Sequence, residues 1–366
     1  MHFQWLQSVH TSIFIAILAG IGVAIAGELV ANPLLSSLQV PGDVFPEALL
    51  YLRIYLIGMP VILLYNFEAA IFRSTGDTKT PLVILTISGI LNVLLNLFFV
   101  AVLQMTVNGV AIATVVSNAV SSALLFYGLV KTKELIHVEW KELRIDRKIL
   151  GQIMRIGLPA GIQSAVFAAA NIVIQSAINS LGTVVMAAFA AAVKIDAFAY
   201  MPVQDFGNAF STFIAQNYGA KEKKRIQQGL KAAVRISAIF CVVVSTFVYI
   251  FSKPLMMIFV DAKETAIIME GVRYLRIEGA FYIGIGWLFL LYGLYRALGR
   301  PGMSVVLTVF SLGTRVALAY ILSAIPAIGV VGIWWSVPIG WALADIVGLL
   351  YYKIKKQNLV EKEPEM

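Results

Sequence analysis

Lys194, Asp196 and Asp205 lie in one otherwise apolar run of the chain, with Pro202 between the two acids and Gln204 and Asn208 close by. Placing such a charge at mid-membrane costs about 2.5 to 3.5 kcal/mol, so it usually faces a cavity or a partner. In a straight helix the nine positions from Asp196 to Asp205 turn through about 900° and set the carboxyls on opposite faces. A proline kink can redirect one of them. One reading makes Asp196 and Asp205 a site where a coupling cation and a positively charged substrate compete, with Lys194 tuning them or acting as counter-ion. The other has Lys194 pairing structurally with an acid on another helix.

The preceding apolar run carries Asn171, Gln175 and Asn179 at spacing four, with Gln163 two steps earlier on the same stripe. That is one polar face on an apolar helix, either a cavity wall or amides that hold helices together. Ser88, Asn92 and Asn96, then Thr114, Asn118, Ser121 and Ser122, repeat the pattern nearer the N-terminus. Glu68 and Glu278 are further acids inside apolar runs, and Arg315 and Asp345 could pair with each other. Trp287, Trp334, Trp335, Trp341, Tyr282 and Phe206 could stack on a cation, although most such rings pack against lipid or helices. No nucleophile with its base and no Walker A loop stands out, which argues against an enzyme or an ATP-driven pump. The single cysteine, Cys241, and three scattered histidines leave no basis for disulfides or a Cys/His metal centre. No cofactor is expected beyond a coupling Na+ or H+.

The elements that position these residues follow from composition. Of 366 residues, 60% are apolar and 13% charged, against about 45 to 50% and about 25% in soluble domains. Residues 82–130 contain no charged side chain, too long for one crossing of about 20 residues, and the weak point between two is Gln104 to Gly109, where Asn108-Gly109 gives turn chemistry. The same reading gives ten spans, at about 11–31, 49–72, 81–105, 109–130, 157–181, 184–214, 233–251, 271–295, 302–325 and 329–352. The expected fold is an all-α polytopic membrane protein.

With the first span starting inside, alternate loops and the C-terminal tail hold 20 Lys and Arg and the opposite loops only Lys253, Lys263 and Arg273. The positive-inside rule then places both termini in the cytoplasm. The net charge of +8 is accordingly a topology signal, and nucleic acid is not an expected partner.

Tyr51-Leu52-Arg53-Ile54 recurs as Tyr274-Leu275-Arg276-Ile277 at an offset of 223, which also relates Arg73 and Gly76 to Arg296 and Gly299. Pro33 matches Pro254 at 221 and Gly109 matches Gly329 at 220. Spans one to four thus correspond to spans seven to ten in a parallel repeat, an arrangement found in transporters whose halves rock about a central site. The repeat maps Glu68 onto Leu291 and Glu278 onto Tyr55, so neither acid belongs to the shared scaffold. Arg53 and Arg276 occupy equivalent places and are expected to be structural. The repeat also predicts two further spans upstream of the first. The expected organisation is a four-helix lobe over 1–130, a linker helix at the membrane surface within 131–156, a six-helix lobe over 157–352 and a tail from 353.

Three stretches resemble the multidrug and toxic compound extrusion (MATE) family: Tyr51-Leu52-Arg53-Ile54, the loop from Phe72 through Arg73, Gly76 and Asp77 to Pro81, and Ala215-Gln216-Asn217-Tyr218-Gly219-Ala220 with the basic residues after it. The resemblance covers nearly the whole chain. It implies two lobes around a central cavity and export of small amphipathic cations in exchange for Na+ or H+, here by a monomer in the plasma membrane in contact with its lipids. In part of the family an acid on the first helix couples transport, and this sequence offers no position for it. A lipid-linked oligosaccharide flippase of the same larger group, or a truncated membrane protein that does not transport, are the alternatives.

Overall fold

The computed structural model describes residues 2–37, 45–132, 136–139, 145–179 and 181–360, with backbone only at 2–5, 179 and 356–360. The described residues form helices and no strand: α1 (His2–Ser37), α2 (Phe45–Ile57), α3 (Met59–Ser74), α4 (Lys79–Leu97), α5 (Val107–Lys131), α6 (Arg147–Asn179), α7 (Thr183–Gly219), α8 (Lys223–Met256), α9 (Thr265–Gly279), α10 (Tyr282–Ala297), α11 (Pro301–Ser323) and α12 (Val330–Val360). Eight are long and apolar enough to cross a membrane alone, and two bent pairs, α2 with α3 and α9 with α10, raise the number to ten. Eight of the expected spans are met by single helices, and the second and eighth are met only if each bent pair is one span.

Those two spans bend by 48° and 50°, and the breaks fall at equivalent points of the repeat. In the first, Pro60 lacks an N–H and its ring crowds the carbonyl four residues back. In the second no proline is present, and the Phe281 N–H bonds the Glu278 carbonyl at 3.0 Å in a tight turn. The helix ends that follow are equivalent as well. Gly76 and Gly299 both take positive φ, 91° and 72°. The next N–H reaches back to Phe72 in one half (3.2 Å) and to Tyr295 in the other (2.8 Å), the six-to-one closure that glycine permits at a helix C-terminus.

The chain divides into two compact units, Met1–Ile153 and Met154–Met366. In the first, Val9 and Ile13 of α1, Ala69 and Phe72 of α3 and Leu125 and Leu129 of α5 form the core. Ile136 and Val138 join it, which corrects the expected linker helix. Residues 136–139 are not helical, and their period-two burial is that of an extended segment. The Glu139 N–H bonds His10 Nε2 (2.9 Å) and the Asp146 N–H bonds Thr11 Oγ1 (3.2 Å). Residues 133–135 and 140–144 lie outside the described residues, and α6 already begins at Arg147. The expected tail likewise starts as helix, α12 running to Val360, while 361–366 lie outside the described residues. The turn falls within the expected weak point, Gln104 to Gly109, but at its start rather than at Asn108-Gly109. A π-helical turn, Phe98–Val102, closes α4, Gln104 takes a positive φ of 51°, and Asn108 and Gly109 belong to the first turn of α5.

In the second unit α7, α9, α10 and α12 surround a core that includes Phe189, Leu275, Leu291, Tyr295 and Trp334. The equivalent arginines do equivalent work in the two units. Arg53 Nε lies 3.3 Å from Glu28 of α1, and Arg276 lies over the Tyr249 ring of α8, 5.4 Å from its centroid. Tyr249 is the repeat counterpart of Glu28 at the Pro33–Pro254 offset. One contact near it has exchanged its volumes. A Cβ on Gly27 would meet Leu56 at 2.4 Å, and one on Gly279 would meet Val248 at 3.1 Å; Gly27 corresponds to Val248 and Leu56 to Gly279.

Gly27→Val is therefore expected to destabilise the chain by about 1 to 2 kcal/mol through overpacking. Adding Leu56→Gly should relieve that clash by vacating the space the new side chain needs, less the helix-propensity cost of the new glycine; thermal melts of the four-variant cycle check the coupling. A second expectation concerns Asp77, which accepts the N–H groups of Lys79 and Thr80 (3.0 Å each) at the start of α4. Its bond from the Thr80 side chain, then the backbone bonds, hold the carboxyl below its ordinary value of 3.8. Asp77→Ala should cost about 1 kcal/mol at neutral pH, as for a lost cap. A carboxyl lowered on folding stabilises above its unfolded value and loses that effect as pH falls through the folded one, so the two proteins should converge in stability below 3.8.

Candidate functional site

Helix α7 stays continuous through Pro202, and its two acids part company. Asp196 is 4% exposed, while Asp205 is exposed, as are Gln204 and Asn208 beside it. The Asn208 amide oxygen accepts a bond from Arg296 (3.3 Å). The expected Asp196–Asp205 pair is thus not assembled, because the unbroken helix keeps the carboxyls on different faces. Lys194 is exposed too, with Nζ 5.7 Å from the Phe259 ring centroid and no acid beside it among the described residues.

Asp196 instead meets residues of other helices. The Tyr282 hydroxyl of α10 donates to its Oδ1. Tyr274 and Glu278 of α9 stand one turn apart, the Tyr274 hydroxyl facing both carboxyls, and the Arg315 guanidinium of α11 lies within electrostatic reach of Asp196 and Glu278. Glu278 is 7% exposed and ends its helix at the α9–α10 break, where interrupted backbone in a membrane span is tolerated beside a site. Asp196 Oδ2, Glu278 Oε2 and Arg315 Nε make no hydrogen bond to the protein. Four helices thus converge on two carboxyls, one guanidinium and two phenols. Among the described residues no group of three or more His, Cys, Asp or Glu is placed to hold a metal ion.

Above Tyr274 an aromatic cluster closes the packing: Phe189 stacks on Trp334 (centroids 5.8 Å) and Tyr274 meets Trp334 edge-on (4.9 Å). The Trp334 indole N–H bonds Glu270 at 2.8 Å, so this ring is engaged in the fold. Asp345 is also buried, its Oδ2 lying 3.8 Å from where a Cβ on Gly284 would sit. It forms no ion pair with Arg315, contrary to the pairing weighed above.

The α6 stripe is mixed. Gln163 and Gln175 are half-buried and Asn171 is exposed; the side chain of Asn179 lies outside the described residues. Glu68 lies in the other unit, fully buried, with Ser122 Oγ donating to it at 2.9 Å. Sequence reasoning did not join Tyr274 and Arg315 to the acids. The available signal was the four-residue step from Tyr274 to Glu278, which stacks both on one helix face; nothing in the sequence pointed from α11 to α7.

The MatE family model matches residues 5–98 and 159–321, well over half of the chain. The chain belongs to the MatE family. This MatE chain is 27% identical over 360 residues to the probable multidrug resistance protein YoeA of Bacillus subtilis strain 168, covering 95% of this chain and 77% of that protein. It is 24% identical over 348 residues to the probable multidrug resistance protein NorM of Thermotoga maritima (92% and 72%). Over 341 residues it is 25% identical to the FAD transporter of Shewanella oneidensis (90% and 73%). A crystal structure of MATE in complex with MaL6 superposes with a TM-score of 0.91 at 24% identity, covering 97% of this chain and 80% of that one. Fold and family are thereby those of multi-span multidrug-resistance and MATE transport proteins.

The exposure of Asp205 and burial of Asp196 can be checked chemically. The one native thiol, Cys241, is fully buried, so Asp205→Cys should react with a membrane-impermeant maleimide in right-side-out or inside-out vesicles while Asp196→Cys stays protected. Protection of both would place Asp205 against lipid.

Proposed function

We propose that this MatE chain is a secondary active exporter of small amphipathic organic cations, exchanging them for H+ or Na+ by alternating access. It acts as a monomer in the plasma membrane with both termini in the cytoplasm and needs no cofactor beyond the coupling ion. The names of its relatives support multidrug export. One observation carries the coupling: Asp196 and Glu278 are both buried, with one guanidinium, Arg315, within electrostatic reach of the two. Two carboxylates and one guanidinium leave one negative charge unmatched, and buried charge persists only when paired. One proton or one sodium ion completes the balance.

Asp205, with Gln204 and Asn208, offers an exposed carboxylate to a cationic substrate about 14 Å along α7 from Asp196. Pro202 between them removes a backbone hydrogen bond and supplies a place for the helix to bend, so occupancy of one acid can bias the setting of the other. Moving one charge through 100 mV supplies about 2.3 kcal/mol, enough for roughly fifty-fold accumulation per ion.

Ethidium efflux from proteoliposomes under separately imposed proton and sodium gradients tests this. Wild type should respond to one of the two gradients. Asp196→Asn and Glu278→Gln should each lower gradient-driven efflux by about tenfold or more, a loss on the scale of one charged interaction. Asp205→Asn should raise the KM for cationic substrates more than for neutral ones. Equal efflux in wild type and all three variants would remove the assignment.

A further inference from the structure

The Met1–Ile153 unit holds a buried acid for which the coupling scheme above has no use. Glu68 on α3 is 0% exposed. Its Oε2 accepts from Ser122 of α5 (2.9 Å), and its Oε1 has no hydrogen-bond partner. Charged and titratable groups occur on its own helix (Tyr65, Arg73) and on the helices packed against it: His10 and Glu28 of α1, Glu47, Tyr51, Arg53 and Tyr55 of α2, Lys79 of α4 and Tyr127 and Lys131 of α5. None of them stands in electrostatic contact with the Glu68 carboxyl. A carboxyl so enclosed, with no cation beside it among the described residues, has to be neutralised on the spot. One carboxyl and one hydroxyl offer fewer oxygens than the roughly six that hard metal ions collect, whereas a proton needs a single acceptor. A protonated Glu68 can donate to Ser122 as readily as the ionised form accepts from it.

A separate polar seam runs along the α4–α5 contact. Ser121 Oγ and Ser88 Oγ both donate to the Ser117 carbonyl (2.9 Å each). Asn92 Nδ2 donates to Ser117 Oγ (3.2 Å), and Asn96 Nδ2 donates to Asn92 Oδ1 (3.0 Å). The seam ends at Asn96, whose own Oδ1 has no partner, just before the π-helical turn Phe98–Val102.

The second half of the chain shows that the scaffold does not require these groups. At the repeat offset of 223 Glu68 corresponds to Leu291. At the offset of 220 that relates Pro81 to Pro301 and Gly109 to Gly329, Asn92, Ser117 and Ser122 correspond to Leu312, Val337 and Ala342. Leu291, Leu312 and Val337 are buried core residues. The acid, its serine partner and two residues of the seam thus stand at positions that the other half fills with apolar side chains, whereas Ser88 keeps a hydroxyl counterpart in Thr308.

We propose that Glu68 and Ser122 form a proton-binding site of the Met1–Ile153 unit, separate from the Asp196–Glu278 site. The inference rests on the ion-driven reading for the use made of the proton, not for its binding. It is tested by infrared difference spectroscopy of the full chain in lipid vesicles, between acid and alkaline buffers and in H2O and D2O. Wild type should show a carboxylic acid C=O band that is lost in Glu68→Leu and in Glu68→Gln and displaced in Ser122→Ala. Glu68→Leu installs the residue that the other half already tolerates, so folding should survive. In Asn92→Leu, which leaves the Glu68–Ser122 pair untouched, the band should persist unshifted. A spectrum unchanged in Glu68→Leu would overturn the site. No transport is measured, so a failure of efflux with the band intact would count against antiport and leave the Glu68 site standing.

Discussion

Inside a bilayer a polar group that finds no partner within the protein finds none at all, and this constraint organises the chain at every scale. It makes the backbone helical, because only a helix satisfies its own amides within one crossing. It permits interrupted backbone only beside protein or a water-lined site, which is why the α2–α3 and α9–α10 breaks carry meaning. It also requires each buried charge to be matched. The Arg315 guanidinium within electrostatic reach of Asp196 and Glu278 is one answer to that demand. The fully buried Glu68, with Ser122 alone beside it, is another.

The repeat shows which answers belong to the scaffold. Positive-φ glycines, the six-to-one helix closures and the two bent spans occur in both halves at matching positions. The arginine that braces the neighbouring helix is retained too, although its partner has changed from a carboxylate to an aromatic face. The buried acids are not shared. Glu68 faces Leu291 across the repeat and Glu278 faces Tyr55. Scaffold chemistry is held in duplicate, and the chemistry suited to ion binding differs from half to half.

How much of this the sequence disclosed follows from the range of each signal. The ten spans were legible because hydropathy integrates over some twenty neighbouring residues, and the repeat because collinear fragments survive drift. Opposite faces for Asp196 and Asp205 were legible from helical periodicity, whereas a proline kink was the competing expectation and α7 runs through Pro202 unbroken. The partners of Asp196 were not legible. Tyr282 and Arg315 lie 86 and 119 positions away, and only tertiary packing brings them near. The linker was misread because its charged residues mask the alternation of Ile136 and Val138, which bury as an extended segment held by backbone bonds to His10 and Thr11.

The traded volumes at Gly27–Leu56 and Val248–Gly279 bear on how such a gene can change. Gene conversion that copied DNA from one half into the other would be harmless at this contact if the tract carried both members or neither. A tract ending between them would join Leu56 to a valine or leave glycine facing glycine, one combination too crowded and the other hollow. The two halves of the gene are therefore free to exchange material only in pieces that respect this contact, a linkage that helps keep once-identical copies distinct.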